Sequence, residues 1–411
     1  MRALLHKISS GLRSRGLNYI VTAPVNELAN PRLPITRYVR SAIIGVRDRF
    51  GGAKADGQAW SNGALQLFYD LAASPVTFDF ASYLAAAEVE RRLRKLRDIN
   101  VIFVLGPKAG VRQELPDYEA AIDVPTRLAR LRNILVPMLA FLPSVKGYAV
   151  CGSREQAEAI IAADRTTIYP SDYRVYLPRQ PAKKVIFEQA RAGLSIWPML
   201  RATDAGKRFV GDFLAREAKG RKAVVITLRN YDYSPERNSR NADWIAFADS
   251  LDPTVHVPIF VHDTETSMRE PPADFGQHVV CHAATWSLEI RMALYEAAWI
   301  NMALMHGPME LCWYNEEVRY VVFMAVGTAA INSEASLVAN GHRLAADLEF
   351  AKPYQRIVWE RDDLPALTDA FAMMEQVLTS SDRPLAARTP LRRLGDASAP
   401  RAVLGITTTC S

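Results

Sequence analysis

Apolar side chains recur along this chain in two alternating rhythms. Short unbroken runs have the length and β-branched content of strands buried on both faces: Ala64–Leu71, NVIFVL at 100–105, KGYAVC at 146–151, AVVITL at 223–228, VPIFV at 257–261, INMA at 300–303 and YVVF at 320–323. Between them, apolar positions fall three and four apart. Leu84, Ala85, Val89, Leu93 and Leu96 mark a helix within 82–97, and the same spacing predicts helices near 127–141, 205–219, 241–250, 287–298 and 364–378. Ser153 with Gln156 forms a capping box, so a helix follows the KGYAVC strand and runs through Ile161; 167–169 and 278–280 read as short strands. This repetition predicts an α/β chain with parallel sheets and helices on both sheet faces.

The prolines of Pro170–Pro181 interrupt the pattern, which resumes beyond them. With 411 residues the chain exceeds the roughly 250–300 at which one core stops growing, so two doubly wound, Rossmann-like domains are expected. The boundaries read as 1–170, a linker 171–199, 200–350, a C-terminal helical segment 351–380 and a basic tail 381–411. No apolar run approaches the roughly 18–20 residues that span a bilayer and no signal peptide is visible, so a cytoplasmic location is expected. The four cysteines, 151, 281, 312 and 410, form no C-x-x-C and argue against disulfides and a cysteine zinc site.

Charge is distributed unevenly. Of the formal +6, residues 1–54 carry +8 and 378–411 carry +3, which leaves −5 for the body. A nucleic-acid groove needs basic residues interleaved with aromatics across the folded body, so nucleic acid is not an expected partner. Met1, Leu4, Leu5, Ile8 and Leu12 lie at helical spacing among basic residues. Such a helix either covers the body or holds loosely to an anionic membrane surface, which would make the protein peripheral on the inner face.

Ligands of open α/β sheets bind where strands end and helix N-termini converge. After AVVITL comes RNYDYSPERNSRN. Its Arg229, Arg237 and Arg240, with Tyr231 and Asn238, make a cradle for a diphosphate, or else a solvated loop whose arginines meet surface acids. After VPIFV, Asp263 and Thr264 could hold a ribose or cap the next turn. His306-Gly307-Pro308-Met309-Glu310, after the INMALM run, offers a turn with free amides, an imidazole and a carboxylate in the first helical turn. Asp79 and Glu88 supply carboxylates in the first half, either as a base or as a cap and a surface residue. Glycine-rich dinucleotide and phosphate loops, a nucleophile elbow, a zinc-protease motif and a D-x-D element are all absent. The histidines at 256, 262, 278 and 282 straddle strands without ligand spacing. No cofactor and no metal are expected.

Two Rossmann-like halves, VITLRNYDYSPERN after the first strand of the second half and the MALMHGPMEL turn near its end together resemble glycosyltransferases of the GT-B fold. The first segment is similar to that of α-1,6-fucosyltransferases, the second to the donor turn of heptosyltransferases. The paired His-Arg-Arg element of the former and the Asp-Thr-Gly form of the latter are missing. The resemblance implies metal-independent transfer of a hexosyl, deoxyhexosyl or heptosyl group from a nucleotide-sugar donor to a glycan or lipid-linked acceptor. Arg229 would hold the diphosphate, 306–309 would wrap the donor, and the first domain would present the acceptor with Asp79 or Glu88 as base. A sugar-nucleotide epimerase of the same fold and a non-catalytic binding or scaffold protein remain alternatives.

Overall fold

The computed structural model describes residues 33–50 and 63–379, except 107–108, 181, 265–274, 276–277 and 328–332, together with Pro24, Glu27 and Leu28. The helix expected at 1–15, the run 18–25 apart from Pro24, the glycine-rich segment before Gly63 and the basic tail lie outside the described residues.

Strands β1 (Ala64–Asp70), β2 (Asp98–Val104), β3 (Val145–Cys151) and β4 (Ile168–Tyr169) form a parallel sheet in the order β3-β2-β1-β4. All seven residues of β1 are buried, as a central strand covered on both faces requires. Leu65, Leu67 and Tyr69 point to the layer that includes the helix Phe80–Leu93. Phe68 packs on the opposite side with Ile102, Val104, Ile161 and Tyr173. The expected capping box closes the helix Arg154–Ala163, where Ser153 Oγ accepts from the Gln156 amide; the Gln156 side chain reaches back to the Gly152 amide.

Strands β5 (Lys222–Thr227), β6 (His256–Val261), β7 (Val279–Val280), β8 (Ile300–Leu304), β9 (Tyr320–Phe323) and β10 (Gln355–Val358) form a second parallel sheet, ordered β10-β9-β8-β5-β6-β7. Helices Asn241–Ser250 and Leu364–Thr379 cover one face through Trp244, Phe247, Leu367 and Phe371. Asp204–Glu217 and Leu288–Ala297 cover the other through Val210, Phe213, Met292 and Tyr295. The fold is therefore α/β with two doubly wound parallel sheets, as the two rhythms predict. One apolar layer runs through both halves and joins Val101 and Phe103 of β2 to Val225 and Ile259 of the second sheet.

In each sheet the chain adds strands to one side of the first strand and then crosses to the other. The reversals fall beside β1 in the first sheet and between β5 and β8 in the second. Crevices open at the carboxyl ends of strands at such points, so the tertiary order selects two of the several strand ends that sequence reading offered.

Elements also appear that the sequence reading did not mark: helices Pro34–Phe50, Pro116–Ala121, Lys184–Arg191 and Glu334–Ala339, and strand β10. The stretch 171–199 is packed against its surroundings. Tyr173 is buried, stacks on Phe68 at 4.8 Å and donates to Asp70 at 2.7 Å, while the Arg92 guanidinium collects the carbonyls of residues 195–198 at 2.9–3.2 Å.

Candidate active site at the junction of the two halves

Arg229 leaves β5 and turns inward, where it is 6% exposed. Its guanidinium donates to the carbonyls of Tyr233 at 2.5 Å and Ser234 at 3.0 Å and to the Asn238 side chain. Asn238 in turn accepts from the Tyr231 amide at 3.0 Å and donates to its carbonyl at 3.1 Å. Arg229 thus clasps its own loop, which lets Ser234 hold a left-handed φ of 56°. The arginine nearest the strand therefore shapes its own loop, and other arginines stand close by.

Those others are gathered from three elements. Arg237 carries a buried Nε with no hydrogen-bond partner, and burial together with the Arg229 charge lowers its pKa to about 10. Arg291, buried on the helix Leu288–Ala297, donates to the Ala284 carbonyl at 2.6 Å. Arg130 reaches in from the first half on the helix Val124–Arg130, donates to Tyr231 Oη at 2.9 Å, and lies 5.9 Å from that ring's centroid. Alongside, the Tyr118 and Tyr233 rings meet edge to face at 5.2 Å. Asp263, at the end of β6, accepts from the Asn230 amide at 2.7 Å; burial raises its pKa although Arg291, Arg229 and Arg130 oppose the shift. Thr264 follows it, exposed.

His306 lies within reach of the Arg229, Arg237 and Arg291 charges. Its Nδ1 lies 2.6 Å from the Leu304 carbonyl, which makes Nδ1 the protonated nitrogen and leaves a buried Nε2 with no partner. Burial, with the charges of Arg291, Arg229 and Arg237 acting in the same direction, lowers its pKa to about 3, so the imidazole is neutral at working pH. A pocket close by is lined by Arg237, Arg240 and Arg361, by the acids Glu236 and Asp362, and by apolar residues including Leu304, Met305, Phe323 and Met324. Arg240 itself pairs with Asp243, and its amide donates to Asp362 at 3.0 Å.

Gly307 is held against the first half, because a Cβ there would lie 2.8 Å from Phe78 Cδ2. Pro308 and Met309 are buried behind it, so this turn joins the two halves instead of lying open. Glu310 then enters a second cluster. Lys183 binds Asp79 Oδ1 at 3.0 Å and Glu310 Oε1 by a closer contact, while Glu310 Oε2 accepts from Ser82 Oγ at 3.1 Å. The Asp79 side chain is 33% exposed and the Glu310 side chain 2%, so Asp79 is the open end. Burial pushes the Glu310 carboxyl up to about 7. Burial would raise Asp79 too, but the Lys183 ammonium outweighs it and holds that carboxyl below its ordinary value.

Glu88, offered with Asp79 as a base or a surface residue, stands apart from this cluster. It accepts from Arg91 at 2.7 and 2.8 Å, Arg92 at 3.1 Å and Ser144 at 2.6 Å, which leaves it a structural role on its own helix. Sequence reading missed Lys183, Arg130 and Arg291. Only Arg291 carried a trace, as a charged residue on the apolar stripe of Leu288, Met292 and Tyr295. Among the described residues no group of three or more His, Cys, Asp or Glu could hold a metal ion. None of their helices is long and apolar enough to cross a membrane.

No protein-family model matches this chain, and no curated protein matches it. Two solved structures are similar in overall course. One is a glycosyl transferase family 9 protein from Veillonella parvula DSM 2008, 8% identical, with a TM-score of 0.46 over 80% of this chain and 92% of that one. The other is the ADP-heptose LPS heptosyltransferase II of E. coli, 9% identical, with a TM-score of 0.43 over 76% and 99% respectively.

Proposed function

We propose that the protein is a glycosyltransferase whose nucleotide-sugar donor lies at the β5/β8 switch point, with its diphosphate among Arg130, Arg237 and Arg291 and its nucleoside over the apolar floor of the adjoining pocket. The observation that supports this reading is the buried Arg237 Nε without a hydrogen-bond partner, beside Arg229, with the charges of Arg291, Arg229 and Arg237 all reaching the buried, neutral His306. Burying unbalanced cations is costly, and an anionic ligand removes that cost. Cations already in place stabilise the charge that develops on a leaving diphosphate without reorganisation, so no divalent ion is required.

The acceptor, a glycan or lipid-linked hydroxyl compound, would lie against the first half with Asp79 as the base. Lys183 keeps Asp79 ionised, and its partial exposure leaves it able to meet a hydroxyl. Glu88, fully engaged with Arg91, Arg92 and Ser144, is not proposed for this role.

Titration calorimetry with nucleoside diphosphates tests the reading. Arg237→Ala should weaken binding about 10- to 100-fold, the loss of about 1.5–3 kcal/mol from one charged hydrogen bond, with the fold intact. If no nucleoside diphosphate binds the wild-type chain, or if the variant binds as tightly, the donor site is elsewhere. Release of free, rearranged sugar nucleotide without any acceptor would favour the epimerase alternative instead.

A further inference from the structure

Asp362 stands on the segment after β10, lines the same pocket as Arg237, and is 4% exposed. A buried carboxylate needs hydrogen-bond donors, and this one has two on a single oxygen. Its Oδ2 accepts from the Arg240 amide at 3.0 Å and from Trp244 Nε1 at 2.8 Å. The amide opens the helix Asn241–Ser250, and the indole is fully buried with its ring edge to face with Phe323 at 5.8 Å. Both donors are fixed, so the carboxylate has one orientation. Its Oδ1 takes no hydrogen bond among the described residues, yet it is not one of the side-chain atoms closed off from solvent without a partner. On a residue that lines a pocket, such an oxygen is an acceptor that the pocket's contents can satisfy.

We propose that Asp362 reads the nucleoside of the donor, with Oδ1 accepting a hydrogen bond from an N–H of the base or an O–H of the ribose. This rests on the donor site proposed above and adds what selects the nucleotide within it. The chemistry excludes the other end of the ligand. A phosphate presents acceptor oxygens and negative charge, which Asp362 repels, whereas Arg237 in the same pocket attracts it. Leu304, Met305, Phe323 and Met324 offer apolar contact that any nucleoside can use, so discrimination falls to the fixed polar group. A site built to accept a hydrogen bond rejects analogues that lack the donor, because its own buried group then goes unpaired.

The substitution Asp362→Asn isolates this contact. Arg240 and Trp244 still demand an acceptor where Oδ2 stands, so the amide oxygen takes that place and the amide NH2 replaces Oδ1. The group offered to the pocket changes from acceptor to donor at constant volume. Titration calorimetry compares ADP, CDP, GDP and UDP, their 2′- and 3′-deoxy analogues, and inorganic pyrophosphate. The variant should bind the preferred nucleoside diphosphate at least about tenfold more weakly, and pyrophosphate as tightly as wild type or more so. Loss of preference among the bases assigns the contact to a base N–H; loss of the difference between ribose and deoxyribose assigns it to a hydroxyl. Unchanged nucleoside diphosphate affinity in the variant overturns the inference and leaves the donor site standing. An equal loss for pyrophosphate also overturns it, since Asp362 then acts on the pocket's structure alone. If neither pyrophosphate nor any nucleoside diphosphate binds wild type, the donor reading falls and this inference with it. Should the variant melt far below wild type, the wild-type series decides: equal affinity across all bases and sugars means that no nucleoside donor meets Asp362.

Discussion

At the scale of single residues, the site separates groups that hold its shape from groups that the proposed function assigns to ligand binding. Arg229 shapes: its removal strands the carbonyls of Tyr233 and Ser234 and the Asn238 side chain, so Arg229→Ala should cost about 1–3 kcal/mol in urea unfolding. Wild-type stability in that variant would mean the clasp is idle. Glu310 offers a test by pH. Its folded pKa, near 7, lies above the ordinary 4.5, so the folded state holds a proton that the unfolded state releases. The stabilisation from that proton is present below about pH 4.5 and fades as pH rises toward 7. The melting temperature of wild type minus that of Glu310→Gln should therefore be greater at pH 5 than at pH 7.5. A constant difference would show that Glu310 titrates normally. Arg229, Asp263 and Glu310 could be named from sequence because each follows a strand end. Lys183 could not, because nothing local distinguishes it from the neighbouring Lys184; only folding brings it between two carboxylates.

At the scale of elements, the two halves meet through backbone-close contacts at the ends of their strands. Gly307 against Phe78 is one of them, and Gly307→Ala should cost about 1–3 kcal/mol by overpacking, as read from thermal unfolding. Adding Phe78→Ala should recover part of that loss; if the single variant is as stable as wild type, the halves are free to part at this turn. Strands buried on both faces were legible because burial demands unbroken apolar runs, as in β5 and β9. Strand β10 was not. Its Gln355 is buried because the side-chain amide donates to the Asn315 and Val318 carbonyls at 2.8 and 2.9 Å, and its Arg356 because Asp347 pairs with it at 3.0 Å. Such partners come from elsewhere in the chain, so the strand's own composition reads as loop.

At the scale of the whole molecule, one apolar layer through both sheets makes stability a property of the assembled pair, and acid should attack it through buried histidines. Burial lowers His306 and His342 to about 3 each, so both stay neutral in the folded chain while the unfolded chain protonates them below about 6.5. Their stabilisation is full above that value and declines as pH falls. His342→Gln should therefore lose less of its melting temperature between pH 7 and pH 5 than wild type does; an equal loss would show that His342 is charged in the fold. Glu310 acts in the opposite sense over part of this range, so the histidine effect is read as the difference between variant and wild type. Turnover, once donor and acceptor are supplied, should survive EDTA; if chelation abolishes it and Mg²⁺ or Mn²⁺ restores it, Asp232 and Asp263 become the ligands to examine. What the sequence by itself determined is local: the unbroken apolar runs, the helical spacing of three and four, the Ser153 cap, the strand ends and the uneven charge all follow from neighbouring residues. What only the tertiary structure decided is which strand ends meet, because strand order arises from contacts between distant segments. That order brings Arg291 to His306 and Arg130 to Tyr231 and sets Lys183 between Asp79 and Glu310, since a side chain's surroundings are set by whatever the fold carries to it from afar.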